Sequence, residues 1–447
     1  MKRTAVAVSA LVLLLPLSAC GGDAGAGNGS TVTVTVGYQS RTINTVTAGT
    51  LLRSLGYFEK QLASLGDGVT YKVVWQDYAT GAPITAQMTA GKIDIGSMGD
   101  VPLLINAARG KQLNRPTHLV SVTGYNLRGG LNTIVTAPGS RLTSLKDLKG
   151  KKISTSVGSA ADGTLVRALQ RAGIDPGHDI EKLNQQPAVG ASALAAGSAD
   201  ALSQFVAWPG LLVRQGKAKA LYDGARLNLP TFHGVTARED FAERRPAVLE
   251  AFLKAQAQAT DYLNGHPVTA AEKVAEATGL PAEVVYLYNG AHGIATFGPA
   301  VKPRLVSALK QDVAILKSAK LTGDVDVDSF VDDRYVRKAL GASYAKQLAA
   351  TPPAAASEVW PKGSARTRTF KSPAELLRYV AAHRDTVRAA YVPDATTGTS
   401  WFADKAVWVA DGGKLLPFVA PATAQAYADR HDGARVIAYA DALERAA

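Results

Sequence analysis

The chain has 447 residues, of which 47% are hydrophobic, and its 49 Lys and Arg against 37 Asp and Glu give a formal charge of +12. This length suits two to four domain-sized units. The basic residues are dispersed and only 7% of residues are aromatic, so no basic stripe with interleaved aromatics speaks for nucleic acid. The single cysteine, Cys20, excludes a disulfide within the chain.

Taken in chain order, the first segment reads as a targeting signal. Lys2 and Arg3 precede the apolar run Ala5 to Leu17. That run is shorter than the ~20 residues of a membrane span and fits the apolar region of a secretory signal. Leu17-Ser-Ala-Cys20 resembles the bacterial lipobox. The resemblance implies that residues 1–19 leave as a lipoprotein signal peptide and that Cys20 is lipidated, placing the chain on the extracytoplasmic face of the cell membrane. Residues 20–30, rich in Gly and Ala, read as a flexible tether. Loss of Lys2 and Arg3 lowers the charge from +12 to +10, which favours anionic ligands or lipid head groups.

Thr31-Val-Thr-Val-Thr-Val36 alternates strictly and predicts a strand. Helix follows over 47–65, broken near Gly56, then strand over 69–75, helix over 82–90 and strand over 93–95. Asp100 is placed to cap a helix opening at Val101-Pro102. Strands alternating with helices predict a mainly parallel α/β sheet. A second such unit has strands over 118–123, 132–136, 152–156, 180–184 and 199–205, with a helix over 163–172. No element is predicted over 206–238. Helices dominate from 239 to 320, over 241–265, 268–278, 282–289 and 304–319. Residues 349–357, AATPPAAAS, read as a linker. Beyond it, 358–447 predicts a small α+β domain with a helix over 373–388, strands near Tyr391, over 401–409 and over 415–419, and a helix over 422–430.

Four stretches then carry a family resemblance: VGYQ (36–39), TGAPITAQMTAGKIDIGSMGDVPLL (80–104), SLKDLKGKKISTSVGSAADGTLVRAL (144–169) and GSADALSQFVAWPGLL (197–212). In this order they resemble the periplasmic binding proteins of ABC importers for taurine, aliphatic sulfonates and related solutes. Nitrate binders and thiamine-precursor (pyrimidine) proteins share that scaffold. The resemblance implies an α/β fold of the two-lobed, type II-like periplasmic-binding-protein class over 31–348. Lobe 1 is expected at about 31–120 and 226–348, and lobe 2 at about 121–225. It implies a small anionic or zwitterionic organic solute held in the cleft, and ABC permease subunits as partners. Phe370 to Leu443 is similar to the NosL-type copper-accessory family. That family's soft sulfur ligands do not carry over, because this domain has neither Cys nor Met. A metal-handling lipoprotein with a binding-protein scaffold is therefore the rival reading.

The candidate contacts follow strand-like segments, where α/β sheets place ligands. Ser156 to Thr164, SVGSAADGT, leads into a helix, and backbone N–H groups at a helix start suit a sulfonate, carboxylate or phosphate. Ser156, Ser159 and Ala160 are placed there. Ser159 and Asp162 serve equally as helix caps, and Asp162 is alternatively a partner for a ligand ammonium group. Gln39 is a candidate hydrogen-bond donor and Arg41 a candidate charge partner, while Tyr38 is a contact or a packing residue. Gly81 and Gly99 allow close backbone approach. Asp100 is a cap or a contact, Thr123 ends a strand at the expected cleft, and Trp208 is a cleft wall or core. There is no Gly-x-Ser-x-Gly and no His-Glu-x-x-His, and the seven histidines lack ligand spacing. No enzymatic role, cofactor or metal site is expected.

Overall fold

A computed structural model describes residues 31–447. The signal segment 1–19, Cys20 and the tether 20–30 lie outside the described residues. Eleven strands build the first part of the chain: β1 (Thr31–Tyr38), β2 (Thr70–Asp77), β3 (Ile95–Gly99), β4 (Thr117–Asn126), β5 (Asn132–Thr136), β6 (Lys152–Thr155), β7 (Glu181–Asn184), β8 (Ala201–Phe205), β9 (Lys219–Asp223), β10 (Thr231–Arg238) and β11 (Thr296–Phe297). They form two sheets, ordered β11-β4-β10-β3-β1-β2 and β7-β6-β8-β5-β9. Each sheet is the heart of one lobe.

The alternation in β1 buries Val34 and Val36 completely or nearly so, and β1 pairs in parallel with both β2 and β3. β10 returns antiparallel between β3 and β4, with His233 opposite Gly99. The chain passes between lobes only at residues 127–131 and 224–230. β4 therefore stays in lobe 1 through Asn126, six residues beyond the expected change at 120/121.

Local chemistry explains the other differences from expectation. β3 starts at Ile95 and runs to Gly99, because the Asp94 carboxylate is engaged sideways, accepting from the Thr35 amide at 2.8 Å and from Arg238 at 2.7 Å. The helix expected over 241–265 is two helices, Glu239–Arg244 and Pro246–Gly265, since Pro246 has no N–H to continue the first. Residues 206–238 hold the helix Trp208–Arg214, β9 and β10. The helix Ala160–Arg171 starts three residues before the expected 163, because Ser159 accepts from the Asp162 amide at 3.2 Å and caps it.

The C-terminal part has two further sheets. One is β13-β12-β14-β15, from β12 (Ser357–Pro361), β13 (Arg368–Phe370), β14 (Val387–Pro393) and β15 (Ser400–Phe402). The other is β17-β16-β18, from β16 (Val407–Asp411), β17 (Lys414–Phe418) and β18 (Arg435–Ile437). The helix Pro373–Ala382 ends six residues before the expected 388, leaving room for β14. Trp360, Tyr391, Trp401 and Phe402 share one buried cluster with Leu211, Tyr286, Leu287 and Tyr288 of the two-lobed part. Burying such a side chain contributes roughly 1.5–3 kcal/mol, so the third domain is docked through a common core.

Candidate functional site

Four helices begin at the interlobe cleft, one of them Pro187–Ala195 of lobe 2, whose N-cap Gln186 faces the same cavity as the other three. The helices Gly81–Thr89 and Asp100–Gln112 come from lobe 1, and Ala160–Arg171 from lobe 2. A cavity of 140 Å³ lies where their N-termini converge, lined by Gln39, Thr80, Gly81, Gly99, Ser156, Ser159, Ala160, Asn184, Phe205 and His233 among others. None of its lining side chains is Lys, Arg, Asp or Glu. Helix N-termini carry partial positive charge, each equivalent to roughly half an elementary charge, and the carboxylates of Asp100 and Asp162 belong to the first turns of two of them.

At the lobe 2 helix, the amides of Ser159, Asp162 and Gly163 are spoken for by Ser156 O, Ser159 Oγ and Ser159 O. Those of Ala160 and Ala161 have no intrachain acceptor among the described residues. They are the orphan donors of a helix start. Ser159 Oγ accepts from Asp162 and keeps its own proton to donate. Gln39, nearly fully buried, donates to Ser97 O at 3.1 Å through one hydrogen of Nε2, leaving the other.

Local sequence gave no sign of His233. Its ring is buried, and burial pushes its pKa down to about 3, so it stays neutral. With the Asn44 amide nitrogen 3.5 Å from Nδ1, the ring proton belongs on Nε2. That nitrogen lies 3.3 Å from where a Cβ on Gly99 would sit. Glycine at 99 thus keeps a neutral donor open to the cleft. The β3–β10 register that sets His233 opposite Gly99 spans over a hundred residues.

Of the residues expected at the site, Gln39, Gly81, Gly99, Ser156, Ser159 and Ala160 line the cavity. Six do not. Tyr38 packs against Trp75 edge-on at 5.9 Å, and its hydroxyl accepts from Arg53 at 2.7 Å. Arg41 is exposed with its guanidinium 6.0 Å from the Trp208 ring, so these two meet each other across the lobes and neither lines the cavity. Thr123 is buried and donates to His233 O at 3.1 Å, supporting that strand from behind. The Asp100 carboxylate accepts from the Val101 amide at 2.8 Å and the Phe232 amide at 3.2 Å, stitching the helix start to β10. Burial pushes it up to about 6.

Asp162 corrects the reading of a ligand ammonium partner. It is fully buried, accepts from the Gly158 amide at 3.0 Å and pairs with Lys182 at 2.9 Å. Its charge is compensated inside lobe 2, behind the helix start.

The lobes are closely apposed. A Cβ on Gly99 would stand 3.4 Å from Ala160 Cβ, and one on Gly163 3.0 Å from Val101. Arg167 of lobe 2 is paired with Asp312 of lobe 1. Among the described residues no three His, Cys, Asp or Glu gather to hold a metal ion, and no helix is long and apolar enough to cross a membrane.

The profile of the family described as NMT1/THI5 like matches residues 53–270. A candidate aliphatic sulfonates-binding protein of Escherichia coli (strain K12) is 28% identical over 281 residues, 63% of this chain and 82% of the relative. The taurine-binding periplasmic protein of the same strain is 28% identical, covering 44% of this chain and 58% of the relative. Among solved structures, the alkanesulfonate-binding protein SsuA from Xanthomonas axonopodis pv. citri, bound to MOPS, superposes with a TM-score of 0.58 at 23% identity, over 67% of this chain and 98% of that one. This shows the fold. A desulfurization enzyme shares it too, at a TM-score of 0.51 and 17% identity over 69% of this chain and 98% of that one, so the fold alone does not separate a binder from an enzyme.

Proposed function

We propose, from the resemblance of the two-lobed part to sulfonate- and taurine-binding proteins, that this chain is an extracytoplasmic solute-binding protein of an ABC importer. It captures a small organic anion of the sulfonate class and presents it to a membrane permease, held to the membrane through a lipid at Cys20. One observation carries the reading: four helix N-termini meet at a small cavity lined by no charged side chain. Such a site binds a compact anion through backbone amides and neutral donors. Ala160 N, Ala161 N, the Ser159 hydroxyl, Gln39 Nε2 and His233 Nε2 are the donors for its oxygens, with Phe205 beside its apolar end. The absence of a fixed cation favours a singly charged head that hydrogen bonds can satisfy. Closure of the lobes on it excludes water and strengthens each bond.

A thermal-shift screen of the Cys20→Ser chain with alkanesulfonates, taurine, nitrate and a pyrimidine amine tests this. Stabilisation of about 2.7 kcal/mol is expected with a true ligand at 100 times its Kd. The proposal expects it from an alkanesulfonate. Stabilisation by the pyrimidine alone would redirect the reading to a thiamine-precursor binder.

A further inference from the structure

We infer that the C-terminal domain is an intramolecular clamp on the hinge between the two lobes, holding them in the closed arrangement. The inference goes beyond solute capture and does not depend on which solute is bound.

The hinge is two short chain crossings, residues 127–131 and 224–230. They lie side by side: the Leu229 amide donates to Arg128 O at 3.1 Å. A Cβ on Gly129 would come within 2.8 Å of Leu229 O, and one on Gly224 within 2.5 Å of Gly129 O. The first crossing is folded around Asn126, whose Oδ1 accepts from the amides of Arg128, Gly129 and Gly130 at 2.9, 3.0 and 3.1 Å. Short crossings between element ends, with glycines at 129, 130 and 224, are where a two-lobed molecule bends.

A loop of the C-terminal domain, residues 394–399, is seated on them. Thr397 and Thr399 donate their hydroxyls to Asp223 Oδ2 at 2.8 and 2.7 Å, immediately before the second crossing. Thr399 Oγ1 also stands 3.4 Å from where a Cβ on Gly130 would sit, at the first crossing. Arg226, within the second crossing, donates to Thr423. The loop is stiff. Asp394 accepts from the Thr396 and Thr397 amides, the Thr396 hydroxyl and the Val419 amide, all within 2.9 Å.

The same domain also grips lobe 1. Arg388 donates to Glu283 at 2.7 Å and Glu272 at 3.0 Å, the Tyr391 hydroxyl donates to Glu283 O at 2.9 Å, and the Tyr286 hydroxyl donates to Glu358 at 2.8 Å. One body is thus bonded to lobe 1 through the helices at 267–289 and to lobe 2 through Asp223. Rotation of the lobes must pull Thr397 and Thr399 from Asp223 and leave a buried carboxylate short of partners, a costly state. A cavity of 430 Å³ beside the loop, bordered also by Asn126, Asn289 and Pro352, gives the loop room to withdraw.

The test needs no ligand. In the full chain carrying Cys20→Ser, spin labels go on Ala79→Cys and Ala188→Cys, exposed positions next to cleft residues of each lobe. Pulsed electron resonance then reads the interlobe distance. The wild-type hinge is expected to give one short-distance population. Thr397→Val with Thr399→Val, and separately Arg388→Ala, are expected to add a longer one, while circular dichroism and cooperative melting show both proteins folded. The two variants attack opposite grips, so failure of one to fold leaves the other to decide. The same distance distribution in wild type and folded variant overturns the clamp. Because no solute is present, that result leaves the ligand assignment standing.

Discussion

His233 and Asp100 titrate in opposite directions around the cleft, and their signs can be worked out. Burial holds His233 at about 3 in the folded chain, against about 6.5 when unfolded. Its stabilising contribution is full above pH 6.5 and is lost as pH falls toward 3, by up to about 1.4 kcal/mol per pH unit. Asp100 is raised from 3.8 to about 6, so its contribution is full below 3.8 and is lost as pH rises through 6. His233→Gln removes the first effect and keeps the second. The melting temperature of this variant should therefore rise relative to wild type as pH falls from 7 to 4.5, and a constant difference would contradict the assignment. Gln39→Ala should weaken alkanesulfonate binding by about 0.5–1.5 kcal/mol, the value of one neutral hydrogen bond, as read by calorimetry. Asp162→Asn leaves Lys182 without its partner. It should cost on the order of 1–3 kcal/mol of stability, with the affinity ratio between taurine and an alkanesulfonate unchanged. The partnership of Asp162 with Lys182 was not legible, because it depends on β7 lying beside β6. Ser159 was legible as a cap because capping is local chemistry.

Small residues follow each strand before a helix begins, at Thr80-Gly81, Gly99-Asp100 and Ser159-Ala160, so the first two helix starts were readable to within a residue, while the third was expected three residues late, at 163. Their convergence was not readable, since it rests on two sheets from distant segments. Gly81 shows how such an element is constrained: a Cβ there would come within 2.7 Å of Pro102 Cβ, where two helices meet. Gly81→Ala should lower stability by about 1–3 kcal/mol through overpacking, seen as an earlier denaturation midpoint. β10, TFHGVTAR, escaped the sequence reading because a strand buried on both faces lacks the alternation that marks a half-buried one. All but the first residue of β10 are buried. The Pro246 break was missed because apolar spacing continues across it.

At the scale of the whole molecule, the aromatic strands of the C-terminal part were readable as a folded domain, but their partner was not. Trp360 and Tyr391 lie against Tyr286 at 5.3 and 5.4 Å between ring centres, so much of that domain's apolar surface is committed to its own chain. The anchor reading adds its own expectation: Cys20→Ser should move the protein from the membrane to the soluble fraction, and unchanged membrane attachment would refute it. Backbone donors at the lobe 2 helix start are proposed to hold a sulfonate head in a cavity lined by no charged side chain. Titration calorimetry of propanesulfonate and taurine into the Cys20→Ser chain, with and without Ser159→Trp, measures this most directly. Saturable binding of propanesulfonate at least as tight as taurine is expected, since no lining carboxylate rewards the amine; Ser159→Trp is expected to lose it, with a melting temperature lowered by loss of the helix cap but a cooperative transition retained. Absence of binding to either sulfonate, or binding that survives Ser159→Trp, would contradict it.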